Sequence, residues 1–222
     1  MRSLHKLTRW YAGTMVVNLC MLVVIIRIYA EPFSLVMDPF SWLGKTITNN
    51  GSANTAALLL FTTTLFFNAF RWRQALDLLS HTLAWRFALV RFLSHLVLAG
   101  FFLMVFPCDR FDAIHSTGSG FVIGGLWALT TIMLFRFSEE FEPRAYILLQ
   151  LILHSAALFC GVNFILDSVL KGFSQRPLLL AIITVTSLCL KTRMQSYAES
   201  GYAKEGTELS YLLLRQLKSR NA

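Results

Sequence analysis

Apolar residues in this chain come in blocks, and the blocks are long enough to cross a bilayer. A hydrocarbon core about 30 Å thick takes roughly 17–25 residues of helix. Six such blocks run through the 222 residues: 10–30, 54–70, 87–106, 113–135, 145–170 and 177–190. Inside hydrocarbon a backbone amide has no water to bond to, so each block is expected to be helical. The expected fold is therefore all-α, a polytopic membrane protein of six transmembrane helices over residues 1–190. A cytoplasmic tail over residues 191–222 follows, and there is no room for a soluble domain. Composition agrees: 55% of the residues are hydrophobic and 14% charged, where a soluble domain carries about 25% charged.

The formal net charge of +8 invites a nucleic-acid reading, but the basic residues sit at block ends rather than along a stripe. Lipid headgroups explain them better, so membrane lipids are the expected partners and nucleic acid is not. Counted by connection, fourteen Lys and Arg fall on the side of the two termini. The other side has Lys45, Arg110, Lys171 and Arg176. That asymmetry puts both termini in the cytoplasm, in a multi-pass protein of the cell membrane of the prokaryotic inner-membrane type. The opening M-R-S-L-H-K-L-T-R has a signal peptide's charge. The apolar run behind it is full length without a clean small-x-small cleavage site, so it reads as an uncleaved first span. The four cysteines show no CxxC spacing, and neither a disulfide framework nor a thiolate metal site is expected.

Between and beside the spans, two short interfacial helices are expected. Leu76, Leu79 and Leu83 give residues 74–85 an apolar stripe, and Leu209, Leu212, Leu213 and Leu217 do the same for residues 209–217. Gly120 and Gly124 stand at GxxxG spacing, which allows two helices to approach closely.

Chemistry concentrates in the outward connections. The stretch F-P-C-D-R-F-D-A-I-H-S-T-G-S-G (106–120) puts Asp109, Arg110, Asp112 and His115 within seven residues. Asp112 and His115, three apart at a helix start, share a face. A carboxylate beside an imidazole can fix its tautomer or support a base. Asp38, Ser41 and Asp167 fall on the same side and could complete a pocket with Asp109, Asp112 and His115. The structural alternatives are that Asp112 caps its helix on the His115 amide and that Asp109 pairs with Arg110 or Lys45. One His and two Asp make a weak metal signature, since a catalytic zinc usually has three protein ligands. No metal is expected, and the catalytic residues stay unknown.

Three function classes follow. The first is binding of, or action on, a lipid or small amphiphile in an outward-facing polar pocket. The second is electron transfer as a b-haem or quinone subunit: His95 and His154 lie at similar depth and could ligate a haem from both faces. The third is a structural subunit with a membrane-protein partner, suggested by the GxxxG pair and the two surface stripes. There is no GxSxG, HExxH or glycine-rich phosphate loop to name a reaction.

S-W-L-G (41–44), Asn54 opening span two, and F-P-C-D followed by His115 resemble a six-helix membrane family of unknown function, domain of unknown function 998. It is similar to the Frag/DRAM/Sfk group, whose eukaryotic members are tied to lipid handling and autophagy. The resemblance implies outward-facing Ser, Asp and His residues as the site and supplies no established reaction. The chain departs from the pattern in loop one, where a shorter run between the serine and span two is expected.

Overall fold

The structure, a computed structural model, describes residues 2–82 and 87–220. Its frame is six helices: α1 (Arg2–Ile28), α2 (Thr55–Thr82), α3 (Phe87–Leu103), α4 (Asp112–Arg136), α5 (Pro143–Ile165) and α6 (Lys171–Arg220). Among the described residues the only extended pairing is an isolated bridge between Ile47 and Ala53. Four helices are long and apolar enough to cross a membrane: Leu4–Ile28, Asp112–Arg136, Pro143–Ile165 and Lys171–Ser196. A shorter apolar helix, Ala88–Leu103, joins them. In α2 the apolar run is diluted by Thr62, Thr63, Thr64, Asn68 and Arg71.

Large apolar side chains cover the outside. Leu19, Leu59, Leu158 and Leu180 are between 63 and 69% exposed. Water would penalise that surface by about 25 cal/mol per Å² of apolar area, and hydrocarbon does not. The inside is an apolar core that runs from Leu4, Leu7 and Trp72 through Val97 and Leu129 to Leu153 and Val185. A second, smaller core of Ile25, Tyr29, Leu43 and Ala57 closes the opposite end, where the α1–α2 connection folds back over the helices. Polar side chains inside the bundle pair with each other. Asn18 and Asn68 exchange two amide hydrogen bonds of 2.8 Å between α1 and α2. Thr130 and Thr186 meet at 3.1 Å between α4 and α6.

Several expected boundaries move. Residues 74–82 are not a separate surface helix: α2 runs on to Thr82, with Trp72, Ala75 and Leu76 buried. Of that stripe, Leu76 is buried in the core, and the Leu79 side chain lies outside the described ones. Leu83, Trp85 and Arg86 lie outside the described residues. The block at 145–170 stops being helical at Ile165. The sixth block does not begin at 177 or end at 190, because α6 is one 50-residue helix from Lys171 to Arg220. Pro177 lies inside it, near enough to the start that few backbone bonds are lost. The stripe at 209–217 is helical, but its side chains lie outside the described ones.

The close helix approach is real, but it uses other glycines. Nothing lies within 4 Å of a methyl placed on Gly120 or Gly124. A methyl on Gly118 would meet the Gly100 carbonyl oxygen at 2.8 Å, and one on Gly100 would meet the Gly118 carbonyl oxygen at 2.7 Å. A methyl on Gly125 would strike Val97 at 2.5 Å. The backbones of α3 and α4 therefore touch at Gly100 and Gly118. Gly118→Ala is expected to cost about 1–3 kcal/mol through overpacking, lowering the melting temperature in detergent. Gly120→Ala and Gly124→Ala should be neutral or slightly stabilising, since alanine is the better helix former. Equal losses at all three positions would refute this assignment.

Candidate functional site

The α1–α2 connection is irregular in sequence, and its order comes from two carboxylates. Glu31 accepts the amides of Asn49 (3.3 Å) and Asn50 (3.1 Å). Asp109 accepts the amides of Thr46 (3.0 Å) and Ile47 (3.2 Å) and the Thr46 hydroxyl. Between them the chain turns at Thr48–Gly51, where Gly51 takes a φ of +84°, the left-handed region that glycine enters without strain. Partial burial works to raise the Asp109 pKa, but the bonds from the Thr46 side chain and the two amides outweigh it and hold its carboxyl below the usual range.

A second fastening joins the same connection to α6. The Arg176 guanidinium donates to the carbonyls of Leu35, Asp38 and Gly172, and to that of Ser34 at 3.4 Å. It also lies over the Phe40 ring, 4.8 Å from its centre. Beneath it, a methyl on Gly172 would meet the Met37 carbonyl oxygen at 2.3 Å, so only glycine lets α6 come this close. A short 3-10 helix, Phe40–Gly44, follows. Its Gly44 backs onto the Phe61 ring, which a methyl would touch at 2.7 Å.

These fastenings enclose a cavity of about 570 Å³ among the α1–α2 connection, the start of α4, the end of α5 and the start of α6. Its lining mixes apolar side chains, among them Phe40, Phe61, Met104, Val122, Phe164 and Leu179, with polar ones, Ser41, Asp112, His115, Ser116, Ser119 and Gln175, and with Lys45, Asp167 and Lys171. Asp167 holds a left-handed φ of +47° at the turn between α5 and α6 and pairs with Lys171 at 3.0 Å.

Of the residues expected to form the pocket, Ser41, Asp112, His115 and Asp167 line the cavity. Asp109 and Asp38 do not. Asp109 is spent on Thr46 and Ile47, rather than on Arg110 or Lys45. Asp38 accepts the Ser34 amide at 2.7 Å. Asp112 does not cap α4 on the His115 amide, which bonds instead to the Phe111 carbonyl at 2.9 Å. The Asp112 carboxylate accepts the Ser116 hydroxyl at 3.1 Å.

His115 is only 2% exposed. Its Nδ1 lies 2.8 Å from the Phe106 carbonyl oxygen, its ring stacks on Phe61 with centres 6.4 Å apart, and its Nε2 has no partner. Cys108, beside it, donates its thiol to the Ser41 carbonyl at 3.2 Å. Burial pushes that thiol up to about 11, so it stays protonated and unreactive at neutral pH.

Sequence reading missed Ser119 and Gln175. Ser119 was legible, standing one helical turn beyond His115. Gln175 was not, since residues 171–176 read as a connection. The two histidines considered for haem each have a partner within the protein. His95 is exposed and turned back on the Arg91 carbonyl at 2.6 Å. His154 takes the Trp127 indole N–H on Nδ1 at 3.3 Å and meets Gln150 through Nε2 at 2.7 Å. Iron could bind His154 only by displacing one of those bonds. Among the described residues no group of three or more His, Cys, Asp or Glu could hold a metal ion.

No protein-family model, curated protein or solved structure matches this chain.

The Asp109 bonds give a pH test. The folded-state pKa is depressed, so the contribution is fully present above the unfolded value of about 3.9 and is lost as pH falls through the folded one. Asp109→Asn should lower the melting temperature at pH 7, and its gap from the parent should narrow as pH falls below the unfolded value. A gap independent of pH would mean that the charge does not hold the connection.

Proposed function

We propose that this protein binds a lipid or small amphiphile in a pocket that opens at the outer face of the cell membrane. The observation that carries the reading is the cavity itself. Its volume falls in the range of about 300–1,000 Å³ usual for small-molecule sites. It sits at one end of apolar helices, and its lining holds both apolar and polar side chains. A soluble metabolite would leave the apolar ones unused, and a bare hydrocarbon would leave the polar ones.

In this reading all six helices span. At about 1.5 Å per residue, the 28 residues of α2 reach about 42 Å and the 17 of α3 about 25 Å. The Lys and Arg asymmetry puts both termini in the cytoplasm and the cavity outside.

Native mass spectrometry on gently purified protein tests the pocket. The parent should carry an added lipid mass that Leu179→Trp, which fills the cavity, removes with no loss of melting temperature. Identical adducts on both proteins would sink the reading. For the orientation, a C-terminal tag should resist protease in intact cells and be cut in inside-out vesicles. The opposite pattern would invert the topology and put the cavity inside.

A further inference from the structure

The deepest polar side chains of the cavity carry no charge and have hydrogen-bonding capacity left over. His115, Ser119 and Gln175 are 2, 7 and 8% exposed, and all three line it. Among the described residues, neither the Ser119 hydroxyl nor the Gln175 amide makes a side-chain hydrogen bond. Their neighbours behave otherwise: Ser116 donates to Asp112 at 3.1 Å and Thr117 to the Ala113 carbonyl at 2.7 Å. Buried polar groups nearly always find a partner, and leaving one without costs about 1–3 kcal/mol. Of the three, His115 Nε2 alone is a sealed atom without a partner; the Ser119 hydroxyl and the Gln175 amide line the cavity, and their open capacity points to something that occupies it.

The His115 ring is held from within the protein. A carbonyl oxygen can only accept, so the Nδ1 that meets Phe106 carries the hydrogen, while Nε2 is sealed and makes no hydrogen bond. The occupant's polar partners are therefore Ser119 and Gln175. Ser119 can give or take a hydrogen bond, and the Gln175 amide does both.

The charged groups at the rim argue for the occupant's own charge. Lys171 is paired with Asp167 at 3.0 Å. Lys45 donates to Asn49 at 2.5 Å and lies over the Trp42 ring, 3.9 Å from its centre. Asp112 holds Ser116. A phosphate or carboxylate would have to draw a lysine away from these partners, and an anion at the depth of Ser119 would meet no cation. An uncharged head needs neither.

We infer that the amphiphile carries an uncharged, hydroxyl-bearing head, of the glyceryl or sugar type, recognised by Ser119 and Gln175. This rests on the amphiphile reading above. A hydroxyl suits the two groups because it donates to the Gln175 carbonyl oxygen while accepting from the Ser119 hydroxyl.

Three probes sharing one acyl chain test it: 1-monooleoylglycerol, ionised oleate at pH 8, and methyl oleate. Each is titrated against the full chain in nanodiscs and read by native mass spectrometry, with Leu179→Trp as the blocked control. Monooleoylglycerol should bind at least about tenfold more tightly than methyl oleate. Ser119→Ala and Gln175→Leu should each erase much of that difference without weakening methyl oleate or lowering the melting temperature. Equal binding of monooleoylglycerol and methyl oleate would overturn the head assignment and leave the amphiphile pocket standing. So would tighter binding of oleate that is lost in Lys45→Ala or Lys171→Ala. If none of the three binds the parent better than Leu179→Trp, the pocket reading falls together with this one.

Discussion

The contact on which the site depends is made by backbone alone, where α3 crosses α4 at Gly100 and Gly118. Each glycine occupies the space that a side chain on the other would need. Gly118 also abuts the Leu103 side chain and the Met104 amide, so the crossing fixes the turn that leaves α3. Two residues further on, the Phe106 carbonyl arrives over His115. The tautomer of a buried imidazole is thereby set by helix packing one turn away. A second glycine does the same on the far side of the cavity. Gly172 lets α6 close on Met37 and Pro39, and Arg176 then gathers the surrounding carbonyls. With α4 and α6 each held against a turn, Ser119 and Gln175 are presented to one space from two directions.

The sequence made the helical, membrane-compatible character legible because hydrocarbon imposes it on every block at once. It did not settle which glycine of S-T-G-S-G-F-V-I-G-G faces a neighbour. Gly118 and Gly125, seven apart, lie on the α3 side, while Gly120 and Gly124 fit the sequence motif and meet nothing. Motif spacing constrains a face only once its direction is known, and that comes from tertiary packing. The same gap explains α6. Pro177 read as a boundary, yet a proline near a helix start breaks little. The turn before it therefore joined the helix and brought Gln175 with it.

The Asp-Arg-Asp-His stretch shows how far proximity in sequence carries. Asp109 and Asp112 are three residues apart and do different work. Asp109 stands before the helix, where free backbone amides of another loop can reach it, and it becomes a fastener. Asp112 stands at the first helical position, where the nearest donor is Ser116 one turn on. Neither is left with unsatisfied charge. The cluster looked like chemistry because charged residues are rare in such a chain. In the fold, most of that charge is consumed in holding loops to helices.

What remains unspent is uncharged, and that division has a physical cause. A carboxylate or ammonium without a partner at a membrane boundary costs far more than a hydroxyl or an amide in the same place. Charged groups are therefore satisfied first, from within the protein. Neutral polar groups can be left open at a cost of a few kcal/mol, small enough for the bundle to bear and large enough to favour an occupant. Water could meet Ser119 and Gln175, but it would gain nothing from Phe61, Val122 and Leu179 in the same lining. An acyl chain with a hydroxylated head satisfies both kinds of side chain at once. That is the sense in which the cavity selects an amphiphile over water, and an uncharged head over a charged one.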